Sequence, residues 1–424
     1  MGAARRWMRD TTGGLPATFW YLWTGLLINR AGMFAVLFLS LYLTTARGTS
    51  PALAGAVVGA YGGGGAVGVL LGGVLADRWG RRATLLAGHL TAGALMVGLA
   101  FARDLAAIAA LITLLGVAHS MLSPAFVAAI VDVVPEPRRP YAFNLQFWAF
   151  NLGMAVASLL AGLLAEASFV ALFLLDAAAT LTAALVIAAR VPESLPRGAS
   201  RRRADDGPPD RAVRRPGLVT ALTDRNFLVF VGLTFLLAVL TMQTSTIMPL
   251  AMRADGLRPS AYGVVVALGG ALIVLGQLFV PRLIARYRKA GVLAVATALM
   301  GLGFGALALA DDLWAYLGAA VVWTAGSMLA APPNAQINAD LAPPELRGRY
   351  QAVFYLTFPA ASFVAPALGG LSLQHLGDRH WLVVGALGLA AAAGHLLAGP
   401  ARERRTAALR ARLARPAGAP VGSR

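Results

Sequence analysis

The sequence predicts an all-α membrane protein of twelve transmembrane helices, arranged as two pseudo-symmetric bundles of six. Three observations predict it: twelve long apolar runs, an arginine asymmetry between alternate loops, and a second half that echoes the first at an offset near 208 residues.

Hydrophobic residues make up 58% of the 424-residue chain and charged residues 13%, with a mean hydropathy of +0.69. Soluble domains carry roughly 25% charged residues, so water is not the main solvent here. A bilayer core takes about 20 apolar residues per helix, and apolar runs fall near 19–43, 52–75, 83–102, 106–131, 141–164, 169–189, 226–250, 261–281, 291–310, 313–339, 350–373 and 381–399. The first run follows the basic start MGAARRWMRD and exceeds the roughly 7–15 apolar residues of a signal-peptide core, which predicts a retained helix. Arg5 and Arg6 read as its positive flank rather than as a twin-arginine signal.

With the N-terminus inside, Arg78, Arg81, Arg82, Arg138, Arg139, Arg286, Arg347 and Arg349 fall in cytoplasmic loops, against Arg47, Arg103, Arg253, Arg258 and Arg379 outside. Basic residues near helix ends resist translocation, so both termini are expected in the cytoplasm. The stretch around RGASRRRADDGPPDRAVRRPG is too polar and proline-rich to bury a core. It divides the chain into a first bundle (1–189), a cytoplasmic linker (190–225), a second bundle (226–399) and a basic cytoplasmic tail (400–424). The tail reads equally as a helix lying on anionic lipid or as a disordered segment.

Several function classes are excluded. With no cysteine, disulfides, zinc–thiolate sites and a cysteine nucleophile are ruled out. The sole lysine, Lys289, stands outside any phosphate-binding GK[ST] loop. The net charge of +17 comes from arginines scattered between apolar runs, not from one basic face, so no nucleic-acid partner is expected. No Ser/His/Asp, HExxH or paired-carboxylate constellation suggests an enzyme, and no cofactor or metal site is expected.

The internal repeat appears when SPAFVAAIVDVVPEPRRPY is laid over APPNAQINADLAPPELRGRY: Pro124 meets Pro332 and Asp132 meets Asp340. Small residues recur likewise, Ala157, Ala161 and Gly162 against Ala365, Gly369 and Gly370. Parallel six-helix repeats place a substrate site between the halves near the midplane.

Between the second and third runs lies Gly73-Val74-Leu75-Ala76-Asp77-Arg78-Trp79-Gly80-Arg81-Arg82. Gly73 permits close helix approach, Gly80 a tight turn, and Asp77 accepts hydrogen bonds from a helix N-terminus. The segment matches the GxxxD[RK]xG[RK][RK] loop signature in full, and the chain resembles the major facilitator superfamily. The resemblance implies that Asp77 and Arg78 form part of an inter-domain latch holding the outward-facing state, with Arg81 pairing with Asp132. The second-half counterpart at 285–290 keeps cations but lacks the Asp and Gly, which predicts a one-sided latch. The small-residue seams at Gly153, Ala157 and Ala161, and at Ala361, Ala365-Pro366 and Gly369, resemble those of drug:proton antiporters in part.

An ionisable side chain at the bilayer centre costs about 2.5–3.5 kcal/mol on insertion scales, which singles out Arg30 in the first helix and Asp176 in the sixth. They are expected to pair and to form the proton-coupling site. His89 and His119 read as packing histidines. The resemblance places the cavity between helices 1, 4, 7 and 10, pointing to Met121, Met242, Gln243, Trp323, Asn334 and Gln336, with Gln146 and Phe354 from helices 5 and 11. Pro332 and Pro333 are expected to interrupt helix 10 beside that cavity. Met and aromatic linings suit amphiphilic ligands. The function predicted is proton-coupled export of small amphiphilic or drug-like molecules by a monomer in a bacterial inner membrane, its partners being substrate, protons and lipids. Import or uniport of a polar or anionic metabolite, and a non-transporting sensor or scaffold, are the alternatives.

Overall fold

A computed structural model of the chain describes residues 13–194, 218–276, 279–343 and 346–414. Among the described residues, twelve helices are long and apolar enough to cross a membrane. Span 1 is Ala17–Ala46, span 2 Pro51–Arg78, span 3 Arg81–Phe101, span 4 Leu105–Val133, span 5 Glu136–Ala167 and span 6 Phe169–Arg190. In the second half, span 7 is Arg225–Thr246, span 8 Pro259–Gly276, span 9 Lys289–Leu309, span 10 Leu313–Leu341, span 11 Arg349–Leu376 and span 12 Arg379–Leu409. Twelve crossings return residues 13 and 414 to one face, the termini face; the other is the far face. Of the central linker, residues 195–217 lie outside the described residues, as do residues 1–12 and 415–424 of the two ends.

The repeat is written into the helix starts. Ala17 and Arg225, Pro51 and Pro259, Arg81 and Lys289, and Leu105 and Leu313 each open a helix, every pair 208 residues apart. Matching caps fix the last of these pairs: Asp104 accepts the N–H of Ala107 at 2.9 Å and Asp312 that of Ala315 at 2.8 Å. Each satisfies one of the four N–H groups a helix start leaves open. Pro51 and Pro259 sit where the missing N–H costs nothing.

Three local features depart from the sequence reading. Span 1 breaks at Gly32–Phe34 into Ala17–Ala31 and Ala35–Ala46, where Gly32 packs against Ala179 of span 6 so closely that a Cβ would collide with it. Span 10 runs unbroken through Pro332 and Pro333, so the expected interruption does not occur. The helix of span 12 continues through Pro400 to Ala414, and its basic extension docks on protein instead of forming a separate tail. Arg402 is buried and donates to the His395 carbonyl at 2.8 Å. Arg405 reaches Asp224 at the cap of span 7, at 2.6 Å. Burial pushes the Asp224 carboxyl up, but hydrogen bonds from Arg405, Tyr350 and the Phe227 N–H outweigh it and hold it below the usual carboxylate range.

Outward-facing leucines such as Leu70, Leu163 and Leu185 are more than half exposed, as expected of side chains whose solvent is lipid. The cores inside are built from alanine and glycine faces with interleaved Leu and Phe, which lets backbones approach closely where lipid supplies no hydrophobic drive.

Candidate functional site

The loop signature folds into a charged knot on the termini face of the first half. Gly80 takes φ +110°, and a side chain there would also collide with the Glu193 carboxylate. Glu193, just past span 6, accepts the N–H groups of Arg81, Arg82 and Ala83 at 2.8, 3.1 and 3.3 Å. Three open N–H groups and the positive end of span 3 are thereby met by one anion. Arg81 Nε lies 2.9 Å from Asp132 Oδ2, which also accepts the Ser194 hydroxyl at 2.9 Å. Asp77 sits 3.6 Å from Arg81 within the same half, Arg82 donates to the Ala188 carbonyl at 2.6 Å, and Arg78 is exposed. The close approach expected of Gly73 is made instead by Gly72, which lies against the backbone of Met121; nothing stands within 4 Å of a Cβ at Gly73.

The second half repeats part of this knot. Lys289 and Asp340 meet at 2.7 Å, at positions 208 beyond Arg81 and Asp132. The cation–carboxylate pair is thus duplicated, while Ala285 and Arg288 stand where the first half has Asp77 and Gly80. Arg288 pairs with Glu403 of the span 12 extension at 2.6 Å.

The halves meet where span 2 packs on span 11 and span 5 on span 8. Gly55, Gly59 and Gly62 lie against the backbones of Pro366, Phe363 and Ser362, and Gly263 against Ser158. These contacts occupy the far-face side of the junction. Two hydrogen bonds tie it: Gln374 of span 11 accepts the N–H of Ala52 at 3.2 Å, and Glu166 of span 5 accepts that of Ser260 at 3.0 Å. Ala52 and Ser260, like Glu166 and Gln374, are 208 residues apart. Each half thus caps a helix start of the other.

Arg30 and Asp176 do not pair. Asp176 is 1% exposed and accepts the N–H of Ala35 at 3.0 Å and the Thr180 hydroxyl at 3.4 Å, so it caps the far segment of span 1 where the helix breaks. Arg30 points the other way, its guanidinium 4.6 Å from the Phe150 ring centroid and 3.1 Å from Met33 Sδ. Asp176 is linked through Thr180 to Asn29, the neighbour of Arg30: the Asn29 side chain donates to the Thr180 hydroxyl at 3.2 Å. His89 contacts the Leu85 carbonyl at 2.8 Å, and His119 the Tyr61 hydroxyl at 3.1 Å.

Beside Arg30 lies a cavity of about 300 Å³ enclosed by spans 1, 3, 4, 5 and 6, with Asn29, His89, Ser123, Gln146, Phe147 and Phe150 in its wall. Of the cavity residues the sequence proposed, only Gln146 lines it. Met121 is buried against span 2. Trp323 stacks on Phe304 at 5.0 Å and Phe354 on Phe230 at 5.9 Å, both inside the second half. Asn334 accepts the Thr234 hydroxyl at 3.0 Å, Met242 that of Ser362 at 3.3 Å, Gln243 is buried beside Gly369, and Gln336 is exposed. Sequence reasoning missed the phenylalanines of span 5, the Glu193 cap, and the reciprocal caps. Applying the 208 offset to Glu166 and Ala52 would have found the last of these.

The family model described as Major Facilitator Superfamily matches residues 22–283 and 234–421. The chain is 28% identical over 368 residues to "Uncharacterized MFS-type transporter YttB" of Bacillus subtilis (strain 168), covering 86% of this chain and 90% of that one. It is 23% identical over 325 residues to a "Na(+), Li(+), K(+)/H(+) antiporter" of Planococcus maritimus, covering 70% and 76%. Among solved structures, a peptide transporter POT in complex with sulfate superposes with a TM-score of 0.75 at 16% identity over 93% of this chain and 96% of that one. A D-xylose-proton symporter gives 0.70 at 16% over 89% and 96%. Fold, loop signature and family model agree: the chain is a multi-pass membrane transporter and belongs to the Major Facilitator Superfamily.

Proposed function

We propose that the chain is a proton-coupled exporter of small amphiphilic molecules, working by alternating access with both termini in the cytoplasm. The observation that carries this reading is Asp176 at the break of span 1. A carboxylate buried in a low-dielectric bundle takes up and releases a proton according to what surrounds it. This one also accepts the N–H of Ala35, the first residue of a segment that packs against span 7 of the other half. Protonation neutralises the cap, weakens its grip on that N–H, and so bears on the junction between the halves.

On this reading the arrangement is the cytoplasm-open state, supported by the ties between the halves at the far face and by Arg81 pairing within its own half. Rocking the halves breaks the reciprocal caps at Ala52 and Ser260 and brings Asp77 and Arg78 toward the second half. The antiporter name carried by the Planococcus relative supports proton exchange as the coupling mode. Everted vesicles holding an imposed pH gradient test the proposal. Addition of a substrate from a panel of lipophilic cations, neutral drugs and anions is expected to discharge the gradient with the parent protein and not with Asp176→Asn. Equal discharge by both removes Asp176 from the coupling step; no discharge with any compound rejects proton coupling.

A further inference from the structure

We propose that the cavity beside Arg30 recognises amphiphiles carrying one anionic head, a carboxylate in the simplest case, on an aromatic or apolar body. The inference rests on the transport reading above and names its substrate class.

The wall holds one charged side chain, Arg30, and no carboxylate. The groups around the guanidinium leave its charge standing. Met33 sulfur is a weak acceptor, and the Phe150 face attracts a cation without neutralising it. Asp176, the anion expected to pair with it, is committed to the Ala35 N–H and Thr180 instead. His89 adds no anion: its Nδ1 faces the Leu85 carbonyl oxygen, which only accepts, so that nitrogen carries the hydrogen. Ser123 and Gln146 supply neutral polar groups, and Phe126, Phe143 and Phe147 supply the apolar surface.

A cation held in a site of low dielectric without a protein anion is complemented by an anionic ligand, and it repels a cationic one by the same field. Guanidinium geometry suits a planar carboxylate. A volume of about 300 Å³ lies at the small end of ligand sites, the scale of a bicyclic aromatic acid. The repeat offers a contrast, because the positions 208 beyond Asn29, Arg30 and Gln146 hold Leu237, Ala238 and Phe354. The second half lacks the polar set, so charge discrimination falls to the first.

The test uses three probes with one naphthalene body: 1-naphthoate, 1-naphthalenemethanol and 1-naphthylmethylammonium. Binding to the full-length protein in lipid nanodiscs is measured by equilibrium dialysis. The naphthoate is expected to bind at least tenfold tighter than the alcohol, with the ammonium weakest. Arg30→Gln is expected to abolish the preference, and Arg30→Lys, which keeps the charge, to retain part of it. Elution of both variants as folded monodisperse protein separates loss of recognition from loss of fold. An ammonium probe that binds as tightly as the naphthoate, a preference unchanged in Arg30→Gln, or no binding of any probe overturns the inference. A naphthoate preference without discharge of a pH gradient leaves the inference standing and defeats proton coupling instead, so the two failures are distinguishable.

Discussion

The two halves share a frame and differ in what they bury. Their first four helix starts coincide at an offset of 208 residues, the pair Arg81 and Asp132 recurs as Lys289 and Asp340, and each half caps a helix of the other through Glu166 or Gln374. At the offset positions of Arg30, Asp176 and His89 the second half has Ala238, Val384 and Thr297, all buried. Charge inside a bilayer is costly, and at these three positions the second half carries none. The frame, whose worth is geometric, is retained on both sides. In this account the first half senses charge and protons, and the second half provides a lever against which the first rocks.

The largest expected effect comes from attacking the shared frame. Gly62 lies against the backbone of Ser362, which has no room to yield. Overpacking of this kind costs about 1–3 kcal/mol or more, so Gly62→Leu is expected to lower the melting midpoint of the detergent-solubilised protein and abolish transport. Gly73→Ala, which meets nothing within 4 Å, leaves the melting midpoint unchanged. An equal loss in both would mean that the junction does not set stability.

Next come the reciprocal caps. Loss of a capping side chain costs about 0.5–2 kcal/mol, so Glu166→Ala and Gln374→Ala should each raise the labelling of a cysteine introduced on the far face, such as Arg103→Cys, by severalfold. The sites lie on different helix pairs, and their effects should add in the double variant. A strong effect in only one would break the symmetry the offset implies.

The paired ions test the opposite face. Asp132 is about one-quarter exposed and Asp340 similarly so, and pairs of this kind contribute about 0.2–1 kcal/mol when solvent-screened. Asp132 additionally receives Ser194 beside the Glu193 cap, so Asp132→Asn is expected to slow transport more than Asp340→Asn does. The ratio of initial rates in vesicles measures this.

The smallest effect concerns the extension of span 12. Asp224 is held below the usual carboxylate range, so its folded-state value lies under its unfolded one. The docking of Arg405 on it is therefore fully present above the ordinary carboxylate range and is lost as pH falls through the lowered value. Protease cleavage of the extension is expected to accelerate only in that acid window, and Arg405→Ala should remove the pH dependence.

Most of the frame was legible from sequence because it rests on periodic properties. Apolar length gave all twelve spans to within a few residues, except span 12, whose arginine-bearing extension stays helical because Arg402 and Arg405 find buried partners. The offset between Pro124 and Pro332 held along the helix starts of both halves. The site was less legible, since it depends on where side chains point. Arg30 and Asp176 were singled out by the cost of burying charge, yet the break at Gly32 to Phe34 gives Asp176 the Ala35 N–H to cap while Arg30 lies against Phe150 and Met33, and no hydropathy signal marks that break. Trp323 and Phe354 looked like cavity residues by type, but each found a ring partner inside its own half. Gly73 and Gly72 differ by one position, and only the helix rotation decides which of them meets span 4.

The central claim is that the carboxylate in the first half controls the junction between the halves. Because the chain has no cysteine, spin labels at Arg103→Cys and Asp311→Cys, matched positions in exposed far-face loops, report the opening of that face directly. The account predicts one short distance at neutral pH, a longer population appearing on acidification, and no response to acid when Asp176→Asn is added. An acid response of the same size in the Asp176→Asn background would contradict it.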